Sequence, residues 1–131
     1  MFAINTADTA PIWRQIEEGV RRLIALEALS PGAAVPSVRD LARELRVNPN
    51  TVARAYQRLT ESGVLTVKRG EGTYVSDVPV QAKKSEKSEA LRDAATRYAS
   101  AAIAIGAEVG EAEEALRQAF QRVVREHRRR V

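Results

Sequence analysis

The stretch from Val47 to Leu59, VNPNTVARAYQRL, places short amide side chains and a proline directly before a helical pattern that carries arginines. An asparagine amide can pair with the edge of adenine, and an arginine can pair with guanine or with a phosphate. The free N–H groups in the first turn of a helix also attract phosphate. However, Asn-Pro is also a common helix cap, and polar side chains cover any helix that faces solvent. The stretch alone therefore leaves two interpretations open, a nucleic-acid-binding surface and an ordinary solvated face.

The side chains of this helix separate into two sides when they are placed at 100° per residue. The inward side consists of Val52, Ala55, Tyr56 and Leu59. The outward side consists of Asn50, Arg54, Gln57 and Glu61, flanked by Ala53 and Arg58, with Asn48 and Thr51 at the leading end. We therefore expect the amide and guanidinium groups to point away from the core.

Two further helices are predicted before this one. The first opens at Pro11, where a missing N–H is tolerated. Its apolar face consists of Ile12, Ile16, Val20, Leu23 and Ile24. The second begins at Ser37, whose hydroxyl is followed three residues later by Asp40 in a capping-box arrangement. Its buried stripe consists of Val38, Leu41, Ala42 and Leu45.

The second helix must end near Arg46, because Asn48 precedes a proline and such residues avoid helical backbone angles. Two short helices joined by a turn of three or four residues form a helix-turn-helix. In that arrangement the second helix enters the DNA major groove, and its first residues meet the base edges.

A β-hairpin is predicted directly after these helices. The stretch VLTVKRGEGTYVSDV alternates apolar and polar residues on both sides of RGEG, whose glycines supply the positive φ angles of a turn. Its tip consists of Lys68, Arg69, Gly70, Gly72 and Thr73. An ordinary hairpin turn does not need two adjacent cations. A helix-turn-helix followed by such a hairpin is typical of a winged helix, so the predicted fold is mainly α with a small β-hairpin wing, an α+β class.

From Ser76 the composition changes to a linker, SDVPVQAKKSEKSE, which merges into a helix. Apolar residues then recur with a heptad-like spacing, and the segment from Gly106 to Gly110 separates them from a final helix. The two helices supply a predicted dimer interface of Leu91, Ala95, Tyr98, Ala102 and Ile105 against Leu116, Phe120 and Val123. The alternative is a hairpin within one chain, although so small a hairpin has little core of its own. The predicted domains are residues 1–76 and residues 77–131.

Composition excludes several classes of function. The chain has 131 residues, with 21 Lys and Arg against 17 Asp and Glu, a formal charge of +4 that allows a polyanionic partner. It has no cysteine, which suits a cytoplasmic protein, and its single histidine, His127, cannot build a metal site or a catalytic triad. We therefore expect no enzyme activity, no metal and no cofactor. No apolar run is long enough to cross a membrane, and no signal peptide is apparent.

The stretches PIWRQIEEGVRRLI and LSPGAAVPSVRDLARELRVNPNTVARAYQRLTESGVLTVKRGEGTYV resemble the DNA-binding domain of GntR-type bacterial transcription regulators. The resemblance covers about residues 11–75. The 56 residues that follow are too short for the large effector domains found in most of the family. They resemble the small YtrA-type branch, in which two helices form a dimer interface.

The resemblance also implies which residues contact DNA. Arg39 in PSVRDLA matches a DNA-contacting arginine, and Pro49 replaces an arginine that reads guanine in many members. Readout is therefore left to Asn48, Asn50, Arg54 and Arg58. The full predicted DNA-binding set is Ser37, Arg39, Asn48, Asn50, Thr51, Arg54, Tyr56, Arg58, Lys68, Arg69, Gly70, Gly72 and Thr73.

The predicted function is a homodimeric transcriptional repressor that binds double-stranded DNA at an inverted-repeat operator, with an unknown effector. The alternative is a winged-helix scaffold that binds protein without specific DNA readout. Trp13 is predicted to lie in the core. Tyr56 is also predicted to be a core residue, with its hydroxyl free to reach a phosphate.

Overall fold

The structure is a computed structural model that describes residues 1–78 and 84–129. Its elements in chain order are α1 (Ile12–Ala25), α2 (Val38–Leu45), α3 (Pro49–Glu61), β1 (Leu65–Lys68), β2 (Gly72–Val75), α4 (Lys84–Ala104) and α5 (Val109–Arg129). The described residues form two compact units, one of 1–78 with 127–129 and the other of 84–126. The predicted mainly helical fold with a two-stranded hairpin is confirmed. Residues 79–83 of the predicted linker lie outside the described residues.

The core of the first unit joins the apolar faces of the three N-terminal helices. Helices α1 and α2 both pack against α3, and strand β1 also contacts α3. The fully buried large side chains are Ile16, Val20, Leu41, Val52, Leu59, Leu65 and Val75. The inward side predicted for α3 is confirmed, since all four of its residues are buried. This packing leaves the opposite side of α3 in solvent.

Local side-chain chemistry sets the ends of α2 and α3. The Ser37 hydroxyl accepts a hydrogen bond from the Asp40 N–H at 3.0 Å, and Asn48 Oδ1 accepts one from the Asn50 N–H at 2.8 Å. Arg46 ends α2 in the left-handed region with φ of +57°, and Pro49 is the first residue of α3. The two predicted caps are therefore confirmed, and the turn between the helices is as short as a helix-turn-helix requires.

The hairpin is antiparallel and pairs Leu65 with Val75 and Lys68 with Gly72. At its tip the Glu71 N–H donates to the Lys68 carbonyl at 2.9 Å, which closes a four-residue turn. Gly70 is the third residue of that turn and has φ of +80°, a left-handed angle that glycine adopts without strain. The prediction that glycines supply the positive φ angles of this turn is confirmed.

A segment before α2 fixes the hairpin to the helices. The Val35 N–H donates to the Thr73 carbonyl at 3.0 Å, and the Val75 N–H donates to the Ala33 carbonyl at 2.8 Å. Ala34 forms a bridge with Tyr74 in the same register. The wing therefore has backbone hydrogen bonds on both sides of β2.

The second unit consists of α4 and most of α5. Helix α4 begins at Lys84, so it starts inside the segment predicted as linker. Gly106 interrupts the helical pattern with φ of +81°, but Gly110 is part of α5, so the predicted break is shorter than expected. The Tyr98 hydroxyl donates to the Ala112 carbonyl at 2.7 Å, which joins the two helices. Within residues 1–78 and 84–129, no helix is long and apolar enough to cross a membrane.

Candidate nucleic-acid interface

The outward side of α3 is exposed as predicted. Asn50, Arg54, Gln57 and Glu61 all lie in solvent, and Thr51 is half-buried at the leading end. Gln57 donates to Glu61 at 3.2 Å, so part of its amide is occupied within the helix. The side chain of Asn50 has no hydrogen-bond partner among the described residues and retains both its donor and its acceptor. Asn50 can therefore make the bidentate contact that adenine accepts in the major groove.

Asn48 is more restricted than Asn50. Its Oδ1 atom already caps α3 by accepting from the Asn50 N–H. Only its amide N–H groups remain available, because an amide oxygen used as a cap is aimed along the helix axis. Asn48 can therefore donate to a phosphate or a base acceptor, but the paired adenine contact is left to Asn50.

The start of α2 adds a hydroxyl and a cation beside this surface. Ser37 accepts from the backbone through its oxygen, so its hydroxyl proton can still donate to a phosphate. Arg39 is exposed and forms no ion pair within the described parts of the chain. A free guanidinium at this place can neutralise a phosphate.

Trp13, which is predicted to lie in the core, packs against the edge of the core and stays partly in solvent. Its ring is half-buried, and the guanidinium carbons of Arg54 and Arg58 lie 4.5 and 4.6 Å from its centroid. Arg58 also pairs with the nearly buried Glu17, with 3.2 Å between its Nε atom and the carboxylate. Arg58 is exposed and flanks the outward side of α3, as predicted, but its guanidinium is paired with α1. Its contact with DNA stays a prediction. The aromatic face of Trp13 attracts both guanidinium groups, and the carboxylate of Glu17 attracts that of Arg58.

Tyr56 lies in the core as predicted, but its hydroxyl is not free. Its ring is buried, and its hydroxyl donates to the Pro36 carbonyl at 2.7 Å. Burial, and to a lesser extent the charge of Glu44, raise the pKa of the Tyr56 phenol well above its ordinary value. The prediction of a hydroxyl free for phosphate is therefore wrong. This side chain instead links α3 to the segment that precedes α2.

At the wing tip, Lys68 has an aromatic partner and Arg69 has none in the part of the chain that the structure describes. The Lys68 ammonium lies 4.5 Å from the ring centroid of Tyr74, which holds it over the hairpin. Arg69 is exposed within the turn. A Cβ atom added at Gly70 or Gly72 would meet no atom within 4 Å, so the backbone there is open to close approach. Thr73 is half-buried on β2.

Sequence reasoning did not identify Glu17 or the Pro36 carbonyl as partners of this surface. A signal for the first was present, because Trp13 and Glu17 are four residues apart, as are Arg54 and Arg58. Residues at this spacing lie on one side of a helix. Two such pairs on packed helices can meet, but only the packing of α1 against α3 shows that they do.

The residues predicted for the dimer interface lie mostly in solvent. Six are exposed: Leu91, Ala95, Tyr98, Ile105, Leu116 and Phe120. Ala102 is buried, and Val123 is half-buried. The second unit therefore exposes large apolar side chains, which are typical of an association surface.

Sequence comparison adds a family to this geometry. A profile described as bacterial regulatory proteins, gntR family, matches residues 13–75. The HTH-type transcriptional repressor YtrA of Bacillus subtilis is 39% identical over 77 residues, which are 59% of this chain and 59% of that protein. The matched part therefore spans less than two thirds of that relative.

Solved structures extend the similarity beyond the matched domain. A transcriptional antiterminator from Listeria monocytogenes superposes with a TM-score of 0.75 and 27% identity, covering 95% of this chain and 92% of that one. YtrA from Sulfolobus acidocaldarius, a GntR-family transcription factor, has a TM-score of 0.59 and 30% identity, covering 71% of this chain and 95% of that one. These similar proteins are regulators of transcription rather than enzymes.

Proposed function

The chain belongs to the gntR family of bacterial regulatory proteins, and we propose that it is a transcriptional repressor that binds an inverted-repeat operator as a homodimer. In this proposal residues 1–76 form the DNA-binding domain, and residues 77–131 form the linker and dimerisation region. The observation that carries the proposal is the exposed start of α3. There an unpaired amide, Asn50, lies at the end of a helix that a buried core and two neighbouring helices hold in place.

The first step is recognition of one half-site. Helix α3 enters the major groove, where Asn50 pairs with an adenine and Thr51 contacts the backbone or a base edge. Arg39 and the Ser37 hydroxyl hold phosphates beside the helix, and these contacts set its register. The wing lies along the neighbouring minor groove, where Arg69 supplies the charge and the glycines allow the backbone to approach.

The second step is pairing of two chains. The exposed apolar residues of α4 and α5 are covered by a second copy, because apolar area removed from water stabilises association by about 25 cal/mol per Å². A two-fold dimer presents two identical helices, so its operator must be an inverted repeat. The half-sites are then separated by about one helical turn of DNA or a multiple of it.

Repression follows from the position of such a site. A dimer bound across a promoter excludes the polymerase from the same DNA. The Bacillus subtilis relative is named as a transcriptional repressor, which supports repression rather than activation. The cytoplasm is where such a regulator meets its DNA.

The test measures binding to a duplex from the protein's own promoter region and to a random duplex of equal length. Arg39→Ala should weaken both, and the slope of log affinity against log salt should fall by about 0.9 for the lost phosphate contact. Asn50→Ala should weaken the promoter duplex alone, by about fivefold to a hundredfold, the worth of one bidentate base contact. Arg92→Ala removes the same charge from α4 and should change either affinity less than about twofold.

Two outcomes would contradict the proposal. If Asn50→Ala lowers the affinity for both duplexes equally, Asn50 does not contribute to sequence readout. Failure of the unaltered protein to bind its promoter duplex, at concentrations where it is folded, would favour the alternative of a protein-binding scaffold.

A further inference from the structure

Trp13 brings α1 into the recognition surface. Its ring lies beside α3 with the guanidinium of Arg54 at 4.5 Å and that of Arg58 at 4.6 Å from its centroid. A cation within about 6 Å of an indole face is attracted by the electron density of the ring. The half-buried indole is thus a fixed acceptor for two cations of the neighbouring helix.

The two arginines are not held equally. Arg58 has a second partner, because its Nε atom lies 3.2 Å from the carboxylate of Glu17, whose side chain is only 12% exposed. Arg54 stands in no ion pair within the described residues, and the indole is its partner there. Arg58 is therefore anchored to α1, whereas Arg54 is ordered by a contact that leaves its N–H donors available.

Arg54 also has the better position for readout. It lies one turn after Asn50 on the outward side of α3 and is exposed. An arginine side chain loses considerable rotamer freedom when it binds, and this loss opposes binding. A ring that already restricts the side chain reduces the loss.

We infer that Trp13 is a positioning residue for DNA recognition: its indole orders Arg54 for contact with the operator, while Arg58 and Glu17 hold the indole and α3 together. The inference rests on the proposed function, since it requires an operator. It adds a residue of α1, outside the helix-turn-helix and the wing, to those that determine operator affinity.

The test is a double-mutant cycle measured on the promoter duplex at one salt concentration. Trp13→Leu should weaken binding about two- to fivefold, the range of an exposed cation–π contact. The same substitution in an Arg54→Ala background should cost almost nothing further. Trp13→Phe, which retains a weaker aromatic face, should recover most of the affinity. A merely structural role for Trp13 would give additive losses and no aromatic preference.

Arg14 offers a matched control, because its guanidinium lies 5.8 Å from the same ring but on α1 itself. Trp13→Leu and Arg14→Ala should be additive. Circular dichroism establishes that each variant is folded, and if Trp13→Leu is not, the cycle is run with Trp13→Phe, where a smaller coupling of the same sign is expected. Additive losses for Trp13 and Arg54, with normal binding by the unaltered protein, would overturn the inference alone. Absence of binding by the unaltered protein would overturn the proposed function and, with it, the inference.

Discussion

The two units of this protein differ in whether their large apolar side chains are buried. In the first unit Leu41 and Leu59 are 0% exposed, whereas in the second Leu91 is 69% exposed and Phe120 is 70% exposed. The first unit has three helices and a hairpin, which suffice to enclose a core. Two helices alone cannot enclose one, because too much of their surface remains open. The difference teaches that the first unit encloses its own core, whereas the second leaves large apolar side chains open to association.

This division also separates two tasks in the proposed function. The enclosed core orients α3, so the readout side chains depend on folding of the first unit. The exposed apolar side chains of α4 and α5 determine association, so the spacing of two half-sites depends on the second unit. Substitutions in the two units should therefore change different measurements.

The largest effect is expected from the enclosed core. Leu59→Ala should lower the free energy of unfolding of the first unit by about 2–5 kcal/mol, because it removes buried methyl groups and leaves a cavity. Leu116→Ala is the matched change in the second unit, where the side chain is half in solvent. At concentrations where the chain is monomeric, Leu116→Ala should lower the free energy of unfolding by less than about 1 kcal/mol. Urea unfolding followed by circular dichroism compares the two variants. Equal losses of unfolding free energy would contradict the difference in side-chain burial between the units.

The next effect is expected at the association surface. Phe120→Glu places a charge within the proposed dimer interface and should weaken self-association at least about thirtyfold, the cost typical of a central interface residue. Gln118→Glu adds the same charge on the other side of α5 and should leave the dimer intact. Sedimentation velocity gives the oligomeric state of both. A monomeric unaltered protein at micromolar concentration would refute the dimer.

A smaller effect is expected at the cap of α3. Asn48→Ala should destabilise the first unit by about 1 kcal/mol, because the Asn50 N–H loses its side-chain acceptor. Asn48→Ser keeps an oxygen acceptor and should restore most of the stability while lacking the amide donors. If both variants unfold at the same denaturant concentration, the cap does not stabilise α3. If Asn48→Ser binds the promoter duplex as the unaltered protein does, the amide donors do not contact DNA.

The smallest effect is expected at alkaline pH and concerns Tyr56. Folding raises the pKa of its phenol, so the unfolded chain releases this proton first as the pH rises above about 10. The contribution of Tyr56 to stability is therefore complete below that pH and declines above it. Tyr56→Phe should cost about 1 kcal/mol at neutral pH, from the lost hydrogen bond to Pro36, and should lose less stability than the unaltered protein at higher pH. Identical pH profiles would show that the phenol does not titrate on unfolding.

Most of the first unit could be predicted from sequence because its signals are local. The caps at Ser37 and Asn48, the short turn between the helices and the glycine turn of the wing each depend on a few neighbouring residues. The apolar spacing of α3 predicted its buried side correctly, since a helix places residues three and four apart on one face. The composition of KSEKSE is that of a linker merging into a helix and does not fix where α4 begins, although several of these residues favour a helix.

Side-chain partners could not be predicted in the same way. The sequence predicts that Trp13 lies in the core and that Tyr56 is a core residue whose hydroxyl is free to reach a phosphate. The structure confirms that Tyr56 is buried but gives its hydroxyl a partner, and it places two guanidinium groups over Trp13. These contacts could not be predicted because the partners are distant in sequence. The Pro36 carbonyl reaches Tyr56 only through packing of the segment before α2 against α3.

The sequence by itself determined the helices of the first unit, their caps, the glycine-dependent wing and the outward side of α3, because backbone propensity and periodicity act over a few residues. Only the tertiary structure decided that Arg54 and Arg58 lie over Trp13, that Lys68 lies over Tyr74 and that residues 33–35 extend the wing. The contacts of Trp13 and of residues 33–35 join segments far apart in the chain, and that of Lys68 joins two paired strands. Their energies depend on distances that exist only after the elements have packed.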